Sequence, residues 1–305
     1  MLTIGSRGSQ LALWQANHIR AQLEQFGETC RIEIIRTTGD KITGVPLAKV
    51  GAKGLFTKEI EEALLDGRID LAVHSLKDLP TELPQGLRLA AVPAREDPHD
   101  ALAGRRLAEL PRGAKVGTSS LRRVAQLRAA RPDLQVESVR GNLDTRLRKL
   151  SEGQYDAVVL AAAGLKRLGW ADRIAELLPF DTMCPAVGQG ALAIETRDGA
   201  GAAAAVCARL EDAPTRAAVT AERAVLAELG GGCQVPIGAH AEISGSELRL
   251  IAIVGMPDGT HILRREAAGP PDNALRLGRE LGQELLEAGA RDILEMVYGV
   301  RDPGI

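Results

Sequence analysis

A chain of 305 residues with 45% hydrophobic and 26% charged residues has the composition of a folded soluble protein with about two or three cores, which excludes a disordered or membrane-spanning polypeptide. A net charge of -2 and an aromatic content of 2% argue against a long nucleic acid as partner, since neither a broad basic surface nor a base-stacking platform is available. Four cysteines without Cys-x-x-Cys spacing and five histidines without a His-x-x-x-His pair exclude the usual zinc and disulfide frameworks, and no metal is expected.

The chain opens on residues 1–6 without a basic leader and a long apolar run, from which a cytoplasmic location without a membrane partner is expected. Residues 2–4 read as a short strand ending at Gly5, and Ala12, Ala16, Ile19 and Leu23 recur at helical spacing. Between them, Ser6-Arg7-Gly8-Ser9 is a helix start whose free N–H groups and positive dipole end suit an anion; Ser9 as an ordinary N-cap accounts for part of the same pattern. A second strand at 31–35 leads to a polar loop at 38–40. The stretch 47–56 then puts Lys49 and Lys53 in a glycine-punctuated loop before a helix marked by Phe56, Ile60, Ala63 and Leu64. Such a loop is either a mobile cover over an anion or a solvated turn, and it lacks the residues of a Walker A loop. Residues 70–74 read as a buried strand, followed by Ser75-Leu76-Lys77-Asp78. In open α/β sheets ligand groups gather beyond the C-terminal ends of strands. Lys77 and Asp78 are thus either a surface ion pair of little energetic weight or, with Asp78 enclosed, a charged site containing a general acid/base.

After a strand at 87–92 and a linker at 93–98, a second lobe repeats the first one's order of strand, glycine, hydroxyls, arginine and helix, as Lys115-Val116-Gly117-Thr118-Ser119-Ser120-Leu121-Arg122-Arg123. Two such turns predict a ligand cleft between two lobes, and the basic residues clustered between Arg122 and Arg148 predict a small anionic ligand. A strand at 136–139 ends at Arg140-Gly141-Asn142; Leu143, Leu147 and Leu150 then face inward on a helix whose Arg146 lies on another face. Arg140 and Arg146 offer guanidinium forks to carboxylates. A strand at 156–163, a polar segment from Gly164 to Arg167, a return crossing at 185–190, a strand at 191–195 and an alanine-rich helix follow. From Pro214 the pattern becomes a helix at 217–229, strands near 238–243, 248–254 and 261–266, and helices at 272–288 and 292–298. Hairpin signals fall at Ser244-Gly245 and Asp258-Gly259. The expected organisation is α/β, with a discontinuous first lobe (1–93 and 191–212), a second lobe (94–190) and a small α+β domain (213–305). Gly230-Gly231-Gly232 precede Cys233, leaving room for a bulky group on that thiol, although a buried inert cysteine is the other reading.

Taken together, Ser6-Arg7-Gly8-Ser9-Gln10-Leu11-Ala12, the loop ending at Phe56, His74-Ser75-Leu76-Lys77-Asp78, Gly117-Thr118-Ser119-Ser120-Leu121-Arg122-Arg123, Arg140-Gly141-Asn142, Val187-Gly188-Gln189-Gly190 and Gly231-Gly232-Cys233-Gln234-Val235-Pro236 resemble the porphobilinogen deaminase (hydroxymethylbilane synthase) family over essentially the whole chain. The resemblance implies two lobes akin to periplasmic binding proteins, a third small domain, and a dipyrromethane cofactor held as a thioether by Cys233. It implies a transferase that joins four porphobilinogen molecules head to tail with loss of ammonia, releasing linear hydroxymethylbilane. Carried over by position, Asp78 is the catalytic acid/base, and Lys77, Thr118, Ser119, Ser120, Arg122, Arg123, Arg140 and Arg146 are cofactor contacts. Arg7, Ser9, Arg140, Arg146, Arg167 and Gln189 are substrate contacts, and Lys49, Lys53 and Phe56 belong to a mobile loop. A monomer with a small-molecule substrate is implied. Two other functions fit parts of the pattern: a two-lobed binding protein for a small anion, and a cysteine-nucleophile hydrolase, which would need a base beside Cys233.

Overall fold

The computed structural model describes residues 1–41, 55–199, 201–231 and 235–299. Three sheets organise them. The first contains β1 (Leu2–Ser6), β2 (Cys30–Ile34), β3 (Leu71–Ser75) and β4 (Leu87–Ala91), and takes β10 (Leu192–Arg197) from much later in the chain, in the order β2-β1-β3-β10-β4. The second contains β5 (Asp100–Gly104), β6 (Lys115–Gly117), β7 (Gln135–Glu137), β8 (Ala157–Ala161) and β9 (Glu176–Leu177), in the order β7-β6-β8-β5-β9. The two orders are equivalent. In each sheet three parallel strands are followed by one antiparallel strand, β10 or β5, that arrives from a crossing between the sheets.

Helices α1 (Gln10–Gln25), α2 (Thr38–Lys41) and α3 (Lys58–Leu65) belong with the first sheet, and α4 (Leu121–Ala130), α5 (Leu143–Ser151) and α6 (Ala162–Arg167) with the second. Helix α1 forms where the sequence predicts it: Ser9 Oγ accepts the Ala12 N–H at 3.3 Å, and the predicted stripe of Ala16, Ile19 and Leu23 packs with Ile4, Leu71, Val73 and Ile194 in one core. Helix α7 (Gly201–Cys207) closes that core through Cys207. The third sheet is an antiparallel meander of β11 (Ile237–Ser244), β12 (Glu247–Gly255) and β13 (Ile262–Gly269), covered on one face by α8 (Ala213–Glu228) and α9 (Ala274–Leu285), with α10 (Arg291–Gly299) following.

Several elements differ from the sequence expectation for identifiable reasons. Strand β5 went unread because Asp100-Ala101-Leu102-Ala103-Gly104 carries no β-branched residue, and two-residue β9 is too short to show alternation. The expected strand 156–163 stops at Ala161, and Ala162 and Ala163 open α6, whose alanines suit a helix. Thr38 to Asp40 lie within the short α2 instead of a loop. Helix α8 begins at Ala213 because Asp212 accepts the Thr215 N–H at 2.9 Å and Pro214 is tolerated in a first turn.

The two crossings meet where Glu96 N donates to Gly190 O at 3.2 Å. Gly190 has φ of 88°, and a Cβ there would stand 2.2 Å from Glu96 O, so only glycine fits. Gly190→Ala is expected to lower stability by about 2 kcal/mol or more, read as an earlier urea midpoint at unchanged slope. The third domain is fixed to the same place: the fully buried Glu222 of α8 accepts from Arg95 Nη1 at 2.5 Å, Gly188 N at 2.7 Å and Ala241 N at 2.8 Å. Burial pushes the Glu222 carboxyl up, but Arg95 and His240 together bring it below its ordinary value.

Candidate active site

Strands β1 and β3 run parallel and deliver their C-terminal ends to one edge of the first sheet. Arg7 and Ser9 follow β1, and the single 3-10 turn Leu76–Asp78 follows β3. Facing them from the second sheet's side are Arg123 of α4, Asn142 and Arg146 around α5, and Arg167 at the end of α6; these groups border a cleft of about 370 Å³. The lobes touch across it, with the Arg167 guanidinium 6.0 Å from the Trp14 ring centroid; within the first lobe the Arg7 guanidinium lies 4.2 Å from the Phe56 ring centroid.

The cleft is a site of cations held out of water. Burial brings Lys77 down to about 8; Asp78 pulls it up again while Arg123 pushes it further down. Arg146 is lowered to about 10 by burial and by the positive charges of Arg123 and Arg140, and its Nε donates to Gly141 O at 2.9 Å. Burial likewise lowers Arg167 to about 10 against the opposing pull of Glu96, and its Nη2 donates to Gly190 O at 2.6 Å. Among the described residues, Lys77, Arg146 and Arg167 form no ion pair with a carboxylate. Cations desolvated without a counter-charge cost free energy that an incoming carboxylate recovers.

Arg122 and Arg123 are spent differently. Arg122 Nη1 donates to Asp100 Oδ2 and to Cys184 O, both at 2.6 Å, while Arg123 donates from Nε to Asp100 Oδ1 at 2.8 Å and from Nη1 to Val159 O at 2.9 Å. Asp100 is fully buried; burial alone would push its carboxyl up, yet the two guanidiniums hold it far below the usual range. Gln189 Nε2 donates to Asp100 Oδ1 at 3.1 Å and to Pro98 O at 2.8 Å. Arg122 and Gln189 therefore stand behind the wall and hold Arg123 in it; neither borders the cleft. The hydroxyl turn is also set back: Thr118 is buried, its Oγ1 accepts the Ser120 N–H at 3.3 Å, and Ser119 Oγ donates to Val139 O at 2.6 Å. Arg140 is half-buried beside Arg146 without bordering the cleft. Asp78 borders the cleft but is exposed, so the enclosure that the sequence reading asked of it is not supplied by these walls. Cys233, Lys49 and Lys53 lie outside the described residues.

Sequence reasoning missed Asp100 and Ser75. Asp100 left a trace, because a lone acid heading the apolar run Ala101-Leu102-Ala103 must find a cation inside. Ser75 sits at the end of β3, where its Oγ accepts from Gln15 Nε2 at 2.9 Å, and nothing in its spacing marked it. The state of Lys77 gives a pH prediction. Its ammonium is present below about 8 and is lost above, so a dicarboxylate such as succinate, titrated calorimetrically, should bind more weakly as pH rises through that value. Lys77→Arg should remove the decline.

Residues 2–205 match a family model described as porphobilinogen deaminase, dipyromethane cofactor binding domain, and residues 216–287 match porphobilinogen deaminase, C-terminal domain. The chain is 51% identical over 303 residues to a porphobilinogen deaminase of Syntrophobacter fumaroxidans, covering 98% of each chain. It is 53% identical over 301 residues to that of Pelobacter propionicus, covering 97% of each. Among solved structures it is similar to a periplasmic substrate-binding protein of an ABC transporter from Coxiella burnetii, at 13% identity and a TM-score of 0.44 over 73% of this chain and 95% of that one. With both family models matched in register and half of all positions shared end to end, the chain belongs to the porphobilinogen deaminase family.

Proposed function

We propose that the chain joins four porphobilinogen molecules head to tail, releasing ammonia at each step, to give linear hydroxymethylbilane for tetrapyrrole biosynthesis. The observation that carries this reading is the trio Lys77, Arg146 and Arg167 around one cleft, lowered by burial and awaiting carboxylates. Each pyrrole brings an acetate and a propionate, and each charge-assisted contact contributes roughly 1.5 to 3 kcal/mol. A dipyrromethane fits the same residues, which offer cations and polar groups to its carboxylates in a cleft of about 370 Å³. When bound through Cys233 it supplies a free pyrrole carbon as the primer of the chain.

The protein's own residues divide the work. Arg7, Ser9, Arg146 and Arg167 bind and orient the substrate's carboxylates, while Lys77 and Arg123 hold those of the primer, with Arg140 and the Thr118, Ser119 and Ser120 turn supporting that wall from behind. Arg122 and Gln189 act through Asp100 to fix Arg123. Asp78 donates a proton to the departing amine nitrogen, stabilises the positive charge that develops on the ring, and takes up the proton displaced by coupling. Phe56 borders the cleft, and Lys49 and Lys53 belong with it to the anion-binding loop that the resemblance implies. The first lobe spans 1–93 and 191–212, the second 94–190, and the attachment domain 213–305. The protein acts as a cytoplasmic monomer on a small-molecule substrate; its net charge of -2 gives no support to a nucleic-acid partner, and no described helix is long and apolar enough to cross a membrane.

Intact mass tests the attachment. The wild-type protein should weigh more than its polypeptide by one dipyrrole, and Cys233→Ser should show the polypeptide mass alone and form no bilane. Undiminished bilane formation by that variant would refute the assignment.

A further inference from the structure

A second chamber, of about 70 Å³, adjoins the cleft and shares Arg7, Ser9, Phe56, Ser75 and Asp78 with its wall. Gln15, Thr57 and His74 are among its remaining walls. That volume admits a few water-sized molecules and has no room for a pyrrole ring bearing two carboxylate arms.

Its lining is polar and incompletely satisfied. Thr57 is 2% exposed, and its Oγ1 has no hydrogen-bond partner among the described residues. His74 is 6% exposed, with Nε2 at 3.0 Å from Glu195 Oε2. Glu195 is fully buried, and its Oε1 has no partner among the described residues. With Nε2 turned to Glu195 Oε2, Nδ1 is the ring's other polar atom. Burial pushes the nearby Glu61 carboxyl up and the charge of Glu195 adds to the rise, while the Thr57 hydroxyl beside it and the charge of His74 pull it back. The volume takes a small hydrogen-bonding molecule beside Thr57 and His74, and Arg7 and Ser9, on the wall shared with the cleft, are left to the larger carboxylate-bearing substrate.

We infer that this chamber receives the ammonia released from each substrate, an inference that rests on the deaminating condensation proposed above. The substrate's C–N bond breaks with its electron pair on nitrogen, leaving an electron-poor carbon and neutral ammonia beside Asp78. The proton displaced by the new C–C bond returns to Asp78 and replaces the one given to the amine, and the ammonia takes a further proton from water in the chamber and departs as ammonium. Protonation on the chamber side keeps the nitrogen from returning to the carbon it left. His74, held by Glu195, positions the nitrogen from behind.

The test uses the cofactor-loaded protein and two probes at constant ionic strength, ammonium chloride and tetramethylammonium chloride. Ammonium should inhibit bilane formation at a concentration at least tenfold lower than tetramethylammonium, and the protein should broaden the ¹⁵N-ammonium NMR signal in the absence of substrate. His74→Gln should raise the half-inhibiting ammonium concentration about tenfold, with the porphobilinogen KM within twofold. Thr57→Val should shift it about threefold in the same direction, which keeps the test available if the histidine variant does not fold. Equal inhibition by the two cations, or ammonium inhibition unchanged in a folded variant, would mean that the chamber holds water only and would overturn the inference. A protein that broadens the ammonium signal but releases no ammonia from porphobilinogen would overturn the reaction itself, and the exit role with it.

Discussion

Asp78→Asn should lower the rate of ammonia release by about 10² to 10⁴-fold, the range expected when a positioned proton-transfer group is removed. The substitution changes one oxygen for an NH₂ on an exposed turn, so the fold should persist, and the intact mass should still include the dipyrrole. The loss should fall on kcat, because the proposed function gives the substrate's carboxylates to Arg7, Arg146 and Arg167, which border the same cleft, and not to Asp78. Single-turnover release of ammonia, measured beside KM, separates the two. A rate within threefold of wild type would remove Asp78 from the chemistry.

The largest stability effect is expected at Asp100. Its carboxylate is the common anion of Arg122 and Arg123, and all three side chains are buried. Asp100→Ala would leave two guanidiniums in the interior without a counter-charge, at a cost of about 3 to 5 kcal/mol, seen as a large fall in the urea midpoint. A loss under about 1 kcal/mol, no more than a surface ion pair contributes, would show that the cluster does not hold the second sheet together. The pH dependence follows from the same geometry. The folded carboxyl lies below the ordinary aspartate value of 3.8, so its contribution is complete above that value and disappears as pH falls beneath it. The Ala variant should show a flatter acid limb.

How much of this was legible in the sequence depended on the kind of constraint each residue carries. The α1 stripe of Ala16, Ile19 and Leu23 was readable because helical periodicity survives without neighbours. The recurrence of strand, hydroxyl turn and helix around Ser9 and Ser120 pointed to the paired sheets, since the local order is written twice. Arg7, Lys77 and Arg146 were found as charged residues in turns or on the free face of a helix and Arg167 through the family resemblance, and the structure brings all four to one cleft. What the sequence withheld was depth. Arg122 and Arg123 are adjacent in the chain, yet only Arg123 reaches the cleft wall, because both turn toward an aspartate supplied by a strand with no β-branched residue. Gln189 came to the substrate only through the resemblance, since a polar side chain in a glycine-rich crossing gives no sign of whether it faces a ligand or a buried carboxylate.

The attachment of Glu222 to both crossings has a mechanical consequence. Because one carboxylate grips Arg95 on the outward crossing, Gly188 on the return crossing and Ala241 of β11, the two sheets cannot swing apart while the third stays still. Any rotation that widens the cleft is transmitted as leverage on α8, and α8 runs directly into the glycines that precede Cys233. A single acidic side chain thus ties both crossings and β11 to α8.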